Sequence, residues 1–196
     1  STFAPTAITI HLLMPWAERD APFSVKQALN CLHRSGVASH ARLLTHWINK
    51  SQYRLLRGKS DGAVANLVRF YLPVVLPETV EKVLWFDVDG LVIGDVRVLI
   101  SSLFKGMHAR SALAAVERQN KRLSLATGLR ATDLAALSLS KVTEHDGVFN
   151  AGLLGFNLRV WRKERITERL EALVDRLTAR DFRGFPGIST RDPGKE

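Results

Sequence analysis

Residues 82–95 read Lys-Val-Leu-Trp-Phe-Asp-Val-Asp-Gly-Leu-Val-Ile-Gly-Asp, and no other stretch limits the fold of this chain as strongly. The apolar run 83–86 leads straight into Asp87, Val88 and Asp89, and a second apolar triplet, 91–93, follows Gly90. A short apolar run without alternation predicts a strand buried on both faces. Carboxylates at its end are costly, because an unpaired buried charge loses several kcal/mol of hydration and is normally paired or metal-bound. At i and i+2 of an extended chain, Asp87 and Asp89 point to the same side and address one cation.

The surrounding sequence alternates strands with helices. Residues 7–14 form a β-branched, apolar strand stopped by Pro15, with His11 read as a packed, hydrogen-bonded residue. Ser24 caps a helix carrying Val25, Leu29 and Leu32, which Gly36 ends. Residues 41–47 read as a further strand. Residues 62–71 are helical, with Val64, Leu67, Val68 and Tyr71 on one face and Pro73 and Pro77 closing the stretch.

After the strand 82–86, residues 95–104 return as a short helix or turn, and 111–116 form a strand of small residues that Glu117 ends. Residues 119–146 are polar helix and loop. Residues 149–158 (Phe-Asn-Ala-Gly-Leu-Leu-Gly-Phe-Asn-Leu) form a strand whose glycines permit close approach of a backbone or ligand. Residues 162–177 form an amphipathic helix with Ile166, Leu170, Leu173, Val174 and Leu177 on one stripe. Such alternation predicts an α/β sandwich with a mostly parallel central sheet, whose ligands bind beyond the carboxyl ends of the strands. The Asp pair stands at such an end.

Composition removes several alternatives. At 196 residues the chain supports one domain, read as 1–178 with a loosely ordered tail at 179–196. Its net charge of +9 is spread along the chain without an aromatic-interleaved basic stripe, so specific nucleic-acid binding is not expected. Cys31 stands alone, which excludes an internal disulfide and a cysteine-based zinc site. No apolar run reaches the roughly 20 residues of a membrane span. The chain opens at Ser1 without Met or a signal-peptide pattern, as expected of a sequence that begins inside a longer protein.

Three blocks occur in order: Asn-Leu-Val-Arg-Phe-Tyr-Leu-Pro at 66–73, the Asp-Val-Asp segment, and Phe-Asn-Ala-Gly-Leu-Leu-Gly-Phe-Asn-Leu followed by Trp161-Arg162. Together they resemble the family 8 glycosyltransferases, retaining enzymes that include glycogenin, bacterial galactosyltransferases and plant galacturonosyltransferases. The Arg-Phe-Tyr-Leu-Pro and Trp-Arg-Lys-Glu-Arg-Ile-Thr runs are most similar to the galacturonosyltransferase branch. The resemblance implies a GT-A fold, a Rossmann-like nucleotide-binding α/β domain, incomplete at both ends.

It also implies Mn²⁺ or Mg²⁺ on Asp87 and Asp89, bridging the diphosphate of a UDP-sugar donor, with Asp87 also among the donor-binding residues. Arg69 would bind the diphosphate or a sugar acid, Asn150 would lie beside donor sugar and acceptor as the catalytic amide, and Ala151 and Gly152 would leave room for substrate. A uridine-binding strand upstream, and an Asp-Gln-Asp motif and metal-binding histidine downstream, are family features that residues 1–196 do not show. The implied partners are a UDP-sugar, a carbohydrate or glycoconjugate acceptor, and a homo- or hetero-oligomeric companion. A eukaryotic parent would work in the Golgi lumen behind an anchor outside this chain, with the cytoplasm as the alternative. A non-catalytic scaffold relative is the second functional expectation.

Each residue also has a structural reading. Asp-x-Asp can be a turn with a helix cap, Arg69 a solvated arginine, Asn150 a turn cap and Gly152 a packing relief. Trp161 and the stripe at 170–177 read as core, and His108 and His145 as surface.

Overall fold

A computed structural model describes residues 8–16, 27, 31, 34, 41–127, 130–139 and 141–179. The chain divides into two compact units, Ser1–Val68 and Arg69–Glu196.

In the first unit, β1 (Ile8–Pro15) pairs in parallel with β2 (Ala41–Ile48), in register from Ile8 opposite Ala41 to Pro15 opposite Ile48. His11 Nδ1 lies 2.8 Å from His46 Nε2, with the rings stacked. His11 is therefore hydrogen-bonded as expected, though half-buried. The helix expected from Ser24 to Gly36 lies outside the described residues except for Gln27, Cys31 and Arg34, which are helical. Two single 3-10 turns, Lys50–Gln52 and Arg54–Leu56, precede α1 (Asp61–Leu67), and Ile48, Leu55, Leu56, Val64 and Val68 are buried.

The second unit is built on β5. A 3-10 turn, Val68–Tyr71, leads into the four-residue α2 (Leu72–Val75). Pro73 was expected to end the helix, but it sits in the first turn of α2, where its missing N–H breaks no intrahelical bond. The strands are β3 (Lys82–Phe86), β4 (Leu113–Arg122) and β5 (Gly147–Asn157), in the order β3-β5-β4. β5 runs antiparallel to both neighbours, so the parallel pairing expected of this α/β chain is found between β1 and β2. The helices are α3 (Val96–Gly106), α4 (Leu123–Thr127), α5 (Ala131–Ala136), α6 (Leu158–Lys163) and α7 (Ile166–Ala179).

The core gathers at the carboxyl end of β5. Leu154, Phe156, Leu158 and Trp161 are buried, and the Phe156 and Trp161 rings lie 5.2 Å apart. Full burial of one such side chain stabilises by about 1.5–3 kcal/mol. Trp161 Nε1 donates to Thr167 Oγ1 at 3.0 Å, and that hydroxyl donates to the Phe70 carbonyl at 2.7 Å, which ties α6 and α7 to the 3-10 turn. Arg162 adds a second tie by donating to the carbonyls of Pro73, Leu76, Pro77, Glu78 and Val80. Of these, Pro73 lies in α2 and Leu76 caps its end, where carbonyls have no partner within the helix.

Three expectations change. The continuous helix over 162–177 is two helices, α6 and α7, because Arg165 adopts a left-handed φ of 50°. The strand expected to end before Glu117 continues to Arg122, carried by its pairing with β5. β3 is half-exposed rather than buried on both faces, and among the described residues it pairs only with β5. The tail at 179–196 lies outside the described residues, apart from Ala179 at the end of α7.

Candidate active site

The site forms where β3 ends beside an irregularity in β5. Against β3, β5 keeps regular register through Phe86 opposite Leu153, and Asp87 N donates to the Gly152 carbonyl at 2.9 Å. Against β4, Ala115 faces Leu154 but the next residue, Val116, faces Asn150. Residues 151–153 therefore bulge out of the β4 ladder while remaining against β3. Bulges of this kind re-aim side chains beside functional sites, and this one brings Gly152 to Asp87 and the Ala151 carbonyl to Arg69.

Arg69 closes the arrangement. It is 3% exposed, far from a solvated arginine. Its Nη1 donates to the Ala151 carbonyl, its Nη2 lies 3.5 Å from Asp87 Oδ1, and its guanidinium stands 4.9 Å from the centre of the Trp85 ring. Burial lowers its pKa, while the Asp87 carboxylate acts in the opposite direction. Trp85 was not expected at the site. Its Nε1 donates to Asp87 Oδ1 at 2.6 Å, and the i, i+2 spacing on an extended strand puts both residues on one side.

Gly152 is closely approached by two side-chain oxygens. A Cβ there would lie 3.2 Å from Asp87 Oδ2 and 3.3 Å from Asn150 Oδ1, so the missing side chain leaves a small cradle between two oxygens. Asn150 Oδ1 accepts from Gly152 N at 2.9 Å, which fixes the amide so that its NH₂ remains the donor group. Asn150 and Ala151 are exposed.

Asp89 departs from the expected geometry. β3 stops at Phe86, and Gly90 N bonds back to the Asp87 carbonyl at 3.0 Å, so Val88 and Asp89 occupy a turn rather than an extended chain. The simple i, i+2 alignment of the two carboxylates is lost. Asp89 is exposed beside the half-buried Asp87. Asp95 plays another part: it caps α3 through Arg97 N, and its hydrogen bonds to the Arg97 side chain hold its carboxyl down at about 2.

Asp87 and Asp89 are hard oxygen donors of the kind that suit a divalent cation such as Mg²⁺ or Mn²⁺. Asp87 has one oxygen held by Trp85 and Arg69, and the other faces the Gly152 cradle. Among the described residues no group of three His, Cys, Asp or Glu side chains is arranged around a metal position. Two carboxylates plus substrate phosphates are a common ligand set for Mg²⁺-like ions. His108 and His145 are exposed, as expected, and His145 lies 3.7 Å from Glu144. A groove between α2 and α7, lined by Tyr71, Val74, Trp161 and Glu171, contains none of the expected site residues.

Comparison with known proteins bears on the family and the fold. Glycosyltransferase 8 domain-containing protein 2 of Bos taurus is 32% identical over 114 residues, covering 54% of this chain and 32% of that protein. Glycosyltransferase 8 domain-containing protein 1 of Danio rerio is 26% identical over 122 residues, covering 58% and 33%. The chain thus spans about a third of the length of these relatives. An active-site mutant of LgtC superposes with a TM-score of 0.57 at 15% identity, over 94% of this chain and 67% of that one. The WbbM bifunctional glycosyltransferase gives 0.57 at 13% identity, over 89% and 35%. These likenesses carry the fold, an α/β fold of the GT-A type. The sequence profile of glycosyl transferase family 8 matches residues 20–183, and the chain belongs to that family.

Proposed function

We propose that this chain forms the donor-binding core of a retaining glycosyltransferase, which moves a sugar from a UDP-sugar to a hydroxyl of a carbohydrate or glycoconjugate. The supporting observation is the docking of Asp87 onto the 151–153 bulge through Arg69, Trp85 and the Gly152 carbonyl. Asp87 Oδ2 and the Asp89 carboxylate would hold Mn²⁺, or Mg²⁺. When bound, such a cation supplies charge neutralisation to a diphosphate leaving group. The Asn150 amide, with its oxygen already engaged, donates toward a sugar or acceptor hydroxyl. Arg69 keeps the carboxylate and the bulge together.

The likeness to the galacturonosyltransferase branch rests largely on residues with scaffold roles here: Trp161, Arg162 and Thr167 bind one another's elements. Arg69 is the remaining candidate for a uronic acid, and its guanidinium already faces Asp87. A neutral hexose donor therefore fits this reading better. For a eukaryotic parent the proposed compartment is the Golgi lumen.

The test is hydrolysis or transfer across a panel of UDP-sugars by the purified protein, with Mn²⁺ and with EDTA. Activity that requires Mn²⁺ and disappears in the Asp87→Ala/Asp89→Ala double variant is expected. Undiminished activity in that variant would remove both aspartates from the mechanism. A second reading, a non-catalytic companion of an active transferase, draws on the absence of a three-ligand cluster among the described residues. It predicts no calorimetric binding of UDP with Mn²⁺, and co-purification with a related enzyme.

A further inference from the structure

We infer that Trp85 is a positioning residue that makes Asp87 a one-oxygen ligand, with Oδ1 locked to the protein and Oδ2 presented to the diphosphate-bound cation. The inference rests on the donor-binding reading above. Two features of the indole act together. Its edge donates from Nε1 to Asp87 Oδ1 at 2.6 Å, and its face lies 4.9 Å from the Arg69 guanidinium. The guanidinium in turn reaches the same Oδ1 at 3.5 Å. One carboxylate oxygen thus faces two donors, and both donors are placed by one side chain.

The other oxygen faces the Gly152 cradle, where a Cβ would come within 3.2 Å. A carboxylate with one oxygen engaged cannot rotate to offer both oxygens to a cation without giving up a hydrogen bond in a half-buried setting. Trp85 faces Leu154 across the ladder, so the indole is itself held by a regular part of the sheet. Partners that orient a metal-binding carboxylate typically change affinity by about 10- to 100-fold when removed.

The test uses Trp85→Phe, which keeps an aromatic face for Arg69 and removes the N–H. Calorimetry with UDP plus Mn²⁺ is expected to show affinity about tenfold weaker than wild type, at the low end of that range because Arg69 remains. The thermal midpoint should move by only a few degrees. An independent measurement needs no nucleotide. Among the 4 tryptophan indole N–H resonances, one should move upfield in Asp87→Ala, as its carboxylate acceptor is lost.

Equal affinity of Trp85→Phe and wild type overturns the inference while leaving the donor-binding reading intact. Four unmoved indole resonances overturn the contact itself, even if Trp85→Phe fails to fold. A wild-type protein that binds no UDP with Mn²⁺ removes the functional reading and this inference with it, and the indole shift then reports a contact of structural value only.

Discussion

The two halves of β5 have opposite fates. From Leu154 to Asn157 every residue is buried, whereas from Gly147 to Ala151 the strand is mostly exposed and leaves the β4 register. The same strand thus anchors a core at one end and presents a site at the other, with the 151–153 bulge as the joint. A site on a rigid strand is held more exactingly than one on a loop, and the bulge lets it face outward without breaking the ladder to β3.

The sharpest way to break this division is Phe156→Ala. Its side chain is 0% exposed and packs on Trp161, so a loss of about 3–5 kcal/mol is expected in denaturant unfolding. Phe149→Ala, on the other half and 50% exposed, should cost about 1 kcal/mol or less. Equal costs would erase the distinction between the halves. Next, Asp87→Ala leaves Arg69 buried without its carboxylate. The expected destabilisation is about 1–2 kcal/mol, below that of a fully enclosed pair because the Asp87 side chain is 36% exposed. Binding of UDP with Mn²⁺ should be lost in the same variant.

Gly152→Ala probes the joint itself. The added methyl group meets Asp87 Oδ2 at 3.2 Å, so nucleotide binding should weaken severalfold in calorimetry while stability changes by about 1 kcal/mol or less. An unaffected affinity would mean that the cradle has no part in binding.

The smallest effect concerns the first unit and serves as a contrast. Burial lowers the pKa of both His11 and His46, and mutual repulsion and Arg42 lower that of His11 further. The folded protein then holds fewer protons than the unfolded chain near the ordinary histidine value of about 6.5. The associated stability is present above that value and declines as pH falls through and below it. Thermal unfolding at about pH 5.5 should come lower than at about pH 7.5, with a flatter dependence in His46→Gln. The environment of Phe156 in β5, followed by hydrogen exchange, should report the mutations above rather than this titration.

Much of the architecture was legible because it is local. β1, β3 and β5 lie within two residues of where β-branched runs and turn residues put them, and the Asp87 and Asn150 blocks announced the family. What was hidden depends on pairing between distant segments. The role of Gly152 follows from two different registers on the two edges of β5, and no single segment encodes a register difference. The solvated alternative for Arg69 fails because an α-helix advances about 100° per residue, whereas the observed 3-10 turn advances about 120°. That turn follows α1 and changes which residues face inward. The break at Arg165 had no glycine to mark it, and Asp89 left the strand because the turn closing on Gly90 begins at Asp87. Trp85 could have been found from its i, i+2 spacing to Asp87, the same rule that first paired the aspartates.

The guanidinium of Arg162 has a kinetic consequence. Its five carbonyl partners lie 82 to 89 residues away along the chain. Closing so long a loop costs entropy before any bond is gained, so these contacts belong to the late side of the folding barrier. Interactions that form late govern how slowly a protein comes apart rather than how quickly it assembles. Arg162 is thus expected to act as a brake on unfolding, so that Arg162→Ala speeds unfolding more than it slows folding in stopped-flow measurements.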